Sequence, residues 1–502
     1  MKKIVFIIYL ILIYLIGFAQ EPLFEVQNDV GTSIFSVYPD GIRIMGMSMV
    51  SDGTGIQMTD ADDNNLFIAN PDSIRFYLYD TTDESRGGFA IATVGSTSDE
   101  TGTSLIDLTE DNYFIGHEAG ASIESGGLYN QFFGYQSGAS TTTGDRNMFI
   151  GYKAGYNNTT ASNNLFLGNQ AGYTNTEGYD NLFMGNSAGY DNLYGDNNIF
   201  IGKNSGASNT GNTTSSGGNN NIFIGESSGS LNTLGFNNIY IGQYAGKTSG
   251  VNPSNGHHNY RNIFIGDYSG YEGIGNAGNV YLGYCSGRYV STGVYNTFVG
   301  IEAGMGGALG SDPTPSSGNS FFGASAGSRT RNGNYNSFFG QSAGFLNVTG
   351  GRHSYFGDSA GRSITDGYGN SFFGAWSGKD KTSGSYNTLI GMKSGENNST
   401  GGNNTFVGYE TGYDNTGSSN VFIGYRAGKS AVGSNQLYID NSDDSTPLIY
   451  GDFTTDIVTI NDVLKIAPRS SAPSPAEEGM MYYNSSTHKL YVYNGSGWQA
   501  CW

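Results

Sequence analysis

Cysteine is nearly absent from these 502 residues: only Cys285 and Cys501 occur, which excludes a disulfide framework. Charge is sparse as well. Only 13% of residues are charged, with 23 Lys and Arg against 43 Asp and Glu, a formal net charge of −20. That sign opposes nucleic acid and anionic membrane surfaces as partners. The five histidines, His117, His257, His258, His353 and His488, show no metal-ligand spacing, and no G-x-x-x-x-G-K-[ST] phosphate loop or G-G-x-G-x-D calcium repeat is present. Neither a cofactor nor a metal is expected. Carboxylates such as Glu118, Glu226, Asp267, Glu302 and Asp358 are scattered along the chain, whereas glycan cleavage needs an acid and a base together. The expectation is a non-enzymatic protein. Beyond the N-terminus no apolar run approaches the length of about 18 residues that reads as a membrane-spanning helix, so none is expected in the mature chain.

Glycine, at 79 residues, is plentiful, and it is periodic. The pattern N-x-[aromatic]-[aliphatic]-G-x-x-[small]-G recurs eighteen times from Asn112 to Gly428, and twelve of the seventeen steps are 17 residues long. So strict a period predicts a solenoid. Four residues before the first glycine stands Asn in every copy except at His353; Asn112, Asn164, Asn238 and Asn404 belong to this column, which predicts a ladder of stacked amides. Two residues before the glycine is Phe or Tyr in every copy but that of Leu389, and the next residue is always apolar. The glycines mark turns with backbone angles closed to other residues. The fold class expected is all-β: a parallel β-solenoid, or β-roll, of about eighteen 17-residue coils between β-rich caps.

Neighbours on a strand face opposite ways, so if the aromatic column fills the coil, the aliphatic column lies outside it. A continuous stripe of large apolar groups exceeds what a monomer leaves exposed. A homo-oligomer follows, most economically a parallel homotrimer around the stripe. A monomeric solenoid with a two-layer core is the alternative.

Residues 1–19 carry Lys2, Lys3, an apolar run from Ile4 to Phe18 and small residues at Gly17 and Ala19, the layout of a secretory signal peptide. The mature chain is expected to be exported, with a net charge near −22 once the two lysines are removed. Residues 20–110 read as a β-rich region, 111–430 as the repeats, 431–465 as a β-rich cap, 466–479 as a linker and 480–502 as a terminal hairpin. Cys285, two residues after a repeat glycine, is expected to be an exposed free thiol.

The repeats, best seen in NLFLGNQAGYTNTEGYDNLFMGNSAGY at 164–190, resemble the YadA-like head of trimeric autotransporter adhesins, which carries the same apolar residue, Ile-Gly, two free positions and a small residue. The resemblance covers about 315 residues. It implies a trimeric β-roll at the surface of a Gram-negative-type bacterium that binds host, matrix or glycan surfaces. The 17-residue coil is longer than the usual head repeat, and the family's coiled-coil stalk and membrane strands are not read at the C-terminus. A phage-tail-fibre-like receptor-binding or spacer protein is the alternative reading.

Three longer steps insert their extra residues on one edge, at TGNTTSSGG, GVNPSNGHHNY and GALGSDPTPSSG. Insertions on one face of a solenoid often form its binding surface, and His257, His258, Asn259 and Tyr260 offer the richest contact chemistry there. Tyrosines following the second glycine, Tyr156, Tyr173, Tyr190, Tyr271 and Tyr413, suit either stacking on sugars or packing on the next coil.

Overall fold

A computed structural model describes residues 104–212, 217–248, 259–306 and 316–501, and the backbone of strands between Phe24 and Ala92. The chain is an all-β parallel solenoid with turns of roughly 17 residues, and no helix occurs among the described residues. Each copy of the repeat contributes one three-residue strand, from Tyr113–Ile115 to Val421–Ile423. Two compact units divide the chain after Asn164.

In the first unit, seven antiparallel strands run from Phe24–Gln27 to Ser73–Phe76. Gly88–Ala92 pairs with Ser104–Thr109, which pairs antiparallel with Tyr113–Ile115 and so starts the parallel series of Gln131–Phe133 and Met148–Ile150. In the second unit the parallel series runs from Leu165–Leu167 to Val421–Ile423 and on to Gln436–Ile439, after which Ile449–Asp452 and Ile457–Ile460 pair antiparallel. Pro468–Arg469, Met481–Asn484, Lys489–Tyr493 and Trp498–Ala500 form a separate four-stranded sheet.

Identical columns meet in register: Leu182, Phe183 and Met184 pair with Ile199, Phe200 and Ile201. The central aromatic is buried and its two neighbours are half-exposed, the alternation that a period of two requires. Inside the second unit the rings stack face to face, as at Phe183–Phe200, Phe264–Tyr281 and Phe321–Phe338, with centroids 4.8, 4.7 and 4.7 Å apart. The stacking distance is the strand spacing itself, because each ring rides on its own strand.

The glycines answer to this stacking. At Gly185, where φ is +136°, a Cβ would stand 2.6 Å from the carbonyl oxygen of Gly202 in the next coil. At Gly189, where φ is +59°, it would meet the ring of Phe183. One glycine lets coils stack at the bend; the other gives the core ring a flat floor. Between them the small residue turns inward, and where it is a serine its hydroxyl bridges coils, as Ser205 Oγ donates to the Phe223 carbonyl at 2.9 Å.

The asparagine column is a ladder whose rungs run chiefly to main chain. The Asn181 Oδ1 accepts from the backbone N–H of Asn198 at 2.9 Å, and its Nδ2 donates to the Gly195 carbonyl at 2.9 Å. Asn112 donates to Gly127 O, Asn164 N–H donates to Asn147 Oδ1, Asn238 donates to Asn259 O, and Asn404 donates to Gly417 O. Direct amide–amide bonds occur at a subset of steps, such as Asn262 to Asn238 at 3.1 Å. Main-chain groups at the bends have no strand partner, and a buried one left unpaired is costly, so the amide is drawn to them first.

Candidate functional site

Three surfaces of the coil carry chemistry: the outer face of the sheet, the edge of the long steps and the edge of the glycine turns. On the outer face of the second unit the two residues flanking each core aromatic form columns free of charged side chains, from Leu165 and Leu167 to Val421 and Ile423. Met184 is 38% exposed and Phe373 is 41% exposed. Toward the later coils one column changes to hydroxyls, Ser320, Ser337, Ser354 and Ser371. The other becomes a second ring stack, with Phe322–Phe339, Phe339–Phe356 and Phe356–Phe373 at 4.7, 4.7 and 4.9 Å.

On the long-step edge, His257 and His258 lie outside the described residues, as do 213–216, 249–258 and 307–315. Asn259 is fully buried: its Nδ2 donates to Gly273 O at 3.0 Å and its Oδ1 accepts from Asn276 N–H. Its amide thus serves the coil interior. Tyr260 is half-exposed, stacks on Phe236 at 5.4 Å and lies beside the Arg261 guanidinium.

The glycine-turn edge departs furthest from expectation. Cys285 is buried rather than exposed: it shares the left-handed φ of its column, 55° here, but its short side chain lies beside that of Arg288, whose Nη1 is 3.6 Å from Sγ. Among the candidate stacking tyrosines, Tyr173 and Tyr190 pack on each other at 4.9 Å, while Tyr413 lies between the Lys393 and Lys429 ammonium groups. Glu410 receives Arg426 at 2.9 Å and Lys429 at 2.8 Å, and the Lys429 hydrogen bond leads the effects that hold its carboxyl down to about 2. Earlier on the same edge, Tyr244, Tyr268 and Tyr271 cluster at tilted angles around Lys247 and Arg288.

Inside the coil a second amide ladder escaped the sequence reading. Asn192 donates to Asn175 Oδ1 at 2.6 Å, Asn209 to Asn192 Oδ1 at 2.7 Å and Asn232 to Asn209 Oδ1 at 3.0 Å. Its column, seven residues after the first glycine, later holds Val290, Thr330, Ile364 and Lys381, and those interruptions hide it. Lys381 is fully buried, and its ammonium donates to Asn398 O at 3.2 Å, to Asn398 Oδ1 at 2.8 Å and to Gly401 O; burial pulls its pKa down to about 7. His353 takes the asparagine's place in the first ladder, with Nδ1 accepting from Asn370 N–H at 3.1 Å, and burial pulls it down to about 4.

Among the described residues, no three His, Cys, Asp or Glu side chains gather closely enough to hold a metal ion, and no helix is long and apolar enough to cross a membrane. No known protein family, curated protein or solved structure matches the chain.

Proposed function

We propose that this chain is a non-enzymatic, exported, adhesin-like fibrous surface protein that assembles as a homotrimer and attaches to a glycan, matrix or cell surface. The observation that carries the reading is the outer face of the parallel sheet. Its two charge-free columns present half-exposed Met184, Phe356 and Phe373 in continuous lines, a surface that gains free energy by leaving water. A copy of the same chain has the same rise per coil, so its continuous apolar column, from Leu167 to Ile423, meets this one at every step. A fold built of repeated coils also serves display, since each bend offers side chains at a regular spacing without disturbing the core. The experiment is to apply the purified mature chain to glycan and matrix-protein arrays. Attachment to a defined class of surface supports the proposal, and a chain that adheres to none contradicts it.

A further inference from the structure

Nearly every aromatic contact between consecutive coils is a parallel stack, and one surface cluster breaks that rule. Tyr244 and Tyr268 are 5.1 Å apart at 43°, Tyr268 and Tyr271 are 5.5 Å apart at 43°, and Tyr244 and Tyr271 are 6.3 Å apart at 84°. Tyr244 and Tyr268 occupy the position two residues after the first glycine, both at φ of 58°. Left-handed backbone is costly for bulky side chains, and many coils hold Ser, Gln or Asn there. These two tyrosines are not needed by the coil.

Two cations lie among the rings. The Lys247 ammonium is 4.9 Å from the Tyr244 ring centre and 5.5 Å from that of Tyr271. The Arg288 guanidinium is 4.7 Å from Tyr268, 5.0 Å from Tyr289 and 5.7 Å from Tyr271. Several cations of this edge are matched, Lys203 with Glu226, Lys379 with Glu396, and Lys393, Arg426 and Lys429 with Glu410, whereas Arg329 and Arg362 lie against the single ring of Phe345. Lys247 and Arg288 have no carboxylate within 4.0 Å among the described residues, and the Arg288 Nε is buried without an acceptor. Of the nearby carboxylates, Asp267 already accepts from Gln243 N–H at 2.8 Å, while Glu272 feels the Arg288 charge without forming an ion pair. On a chain of net charge −20, two cations without a carboxylate partner, held among half-buried rings, form an anion receptor with apolar walls.

We propose that Tyr244, Lys247, Tyr268, Tyr271, Arg288 and Tyr289 bind an acidic sugar unit of a glycan chain. The tyrosine rings cover the apolar face of the pyranose, and Arg288 and Lys247 pair with its carboxylate or sulfate. A guanidinium gives the planar, forked donor set that such an oxyanion accepts. This assignment rests on the adhesin reading and deepens it by naming the ligand class and the place.

The test titrates the full mature chain with a heparin oligosaccharide, an oligogalacturonate and neutral dextran, using Arg288→Gln, Lys247→Gln and, as an ion-paired control on the same edge, Lys379→Gln. Unchanged thermal melts confirm that the variants are folded. The expected result is binding of one or both acidic sugars but not dextran, weakened about tenfold or more by Arg288→Gln and by Lys247→Gln, with little change in Lys379→Gln. Equal losses in all three variants reduce the effect to overall charge and overturn the site. So does equal binding of dextran. Attachment to some array surface without affinity for either acidic sugar overturns the site and leaves the adhesin reading standing. Failure on every array surface overturns the adhesin reading, while the titration still decides the site.

Discussion

The ring of Phe183 fills the space that a side chain on Gly189 would occupy: a Cβ built there would stand 2.4 Å from Cε2 of the phenyl group. The two residues are six apart in the same coil, and their contact explains why the aromatic and the second glycine recur together. Gly189→Ala should therefore force the ring off its stack with Phe200 and place alanine at a left-handed φ. The expected cost is about 1–3 kcal/mol. Hydrogen exchange should speed up at the amides of the coils on either side, and unchanged protection there would refute the coupling.

Lys381 occupies the column held by Asn347, Asn398 and Asn415. Its pKa is lowered from 10.5 to about 7 by burial, so between those values the unfolded chain binds a proton that the folded chain lacks. Stability should then rise with pH across that window and carry the full penalty below pH 7. Lys381→Asn should raise the melting temperature at pH 6.5 and flatten the difference between melts at pH 6.5 and pH 9. Parallel pH profiles for the two proteins would contradict this.

His353 works in the opposite part of the scale. Its folded pKa is near 4 against an ordinary 6.5, so the unfolded chain takes up the proton first as pH falls, and stability is lost between about pH 6.5 and 4. His353→Asn restores the residue found at this position in the other repeats and should remove that part of the acid sensitivity. Thermal melts at pH 4.5 and pH 7 measure it; an unaltered difference between them would mean that the imidazole is not the cause.

What repetition exposes, the sequence makes readable. Asn181, Phe183, Gly185 and Gly189 each stand for a column, and eighteen copies separate the constrained positions from the free ones. The inward aromatic and the outward aliphatic follow from alternation alone. Asn192 was harder to see, because its ladder breaks at Val290, Ile364 and Lys381, and an interrupted column looks like variation. The burial of Cys285 is not legible from its variable column, because it comes from one neighbour, Arg288, three residues on. The Tyr268–Arg288 cluster was not legible at all: its members lie in different coils and columns, so only the stacking of Tyr244, Tyr268 and Cys285 on successive turns brings them together. The proposed recognition cluster is a feature that does not repeat, and periodicity is silent about it.

The outer stripe predicts a chemical sensitivity of its own. Ile201 pairs with Met184 and Ile224 in the outward column, and a carboxylate introduced there by Ile201→Asp meets water in a single chain but an apolar seam in an assembly. The variant should retain β-sheet circular dichroism and lose self-association.

Sedimentation of the mature chain at micromolar concentration tests the account most directly, with Ile201→Asp run beside it. The account predicts a species of about three chain masses for the native protein and a shift toward one chain mass for the variant. A native protein that sediments as a stable single chain would contradict it.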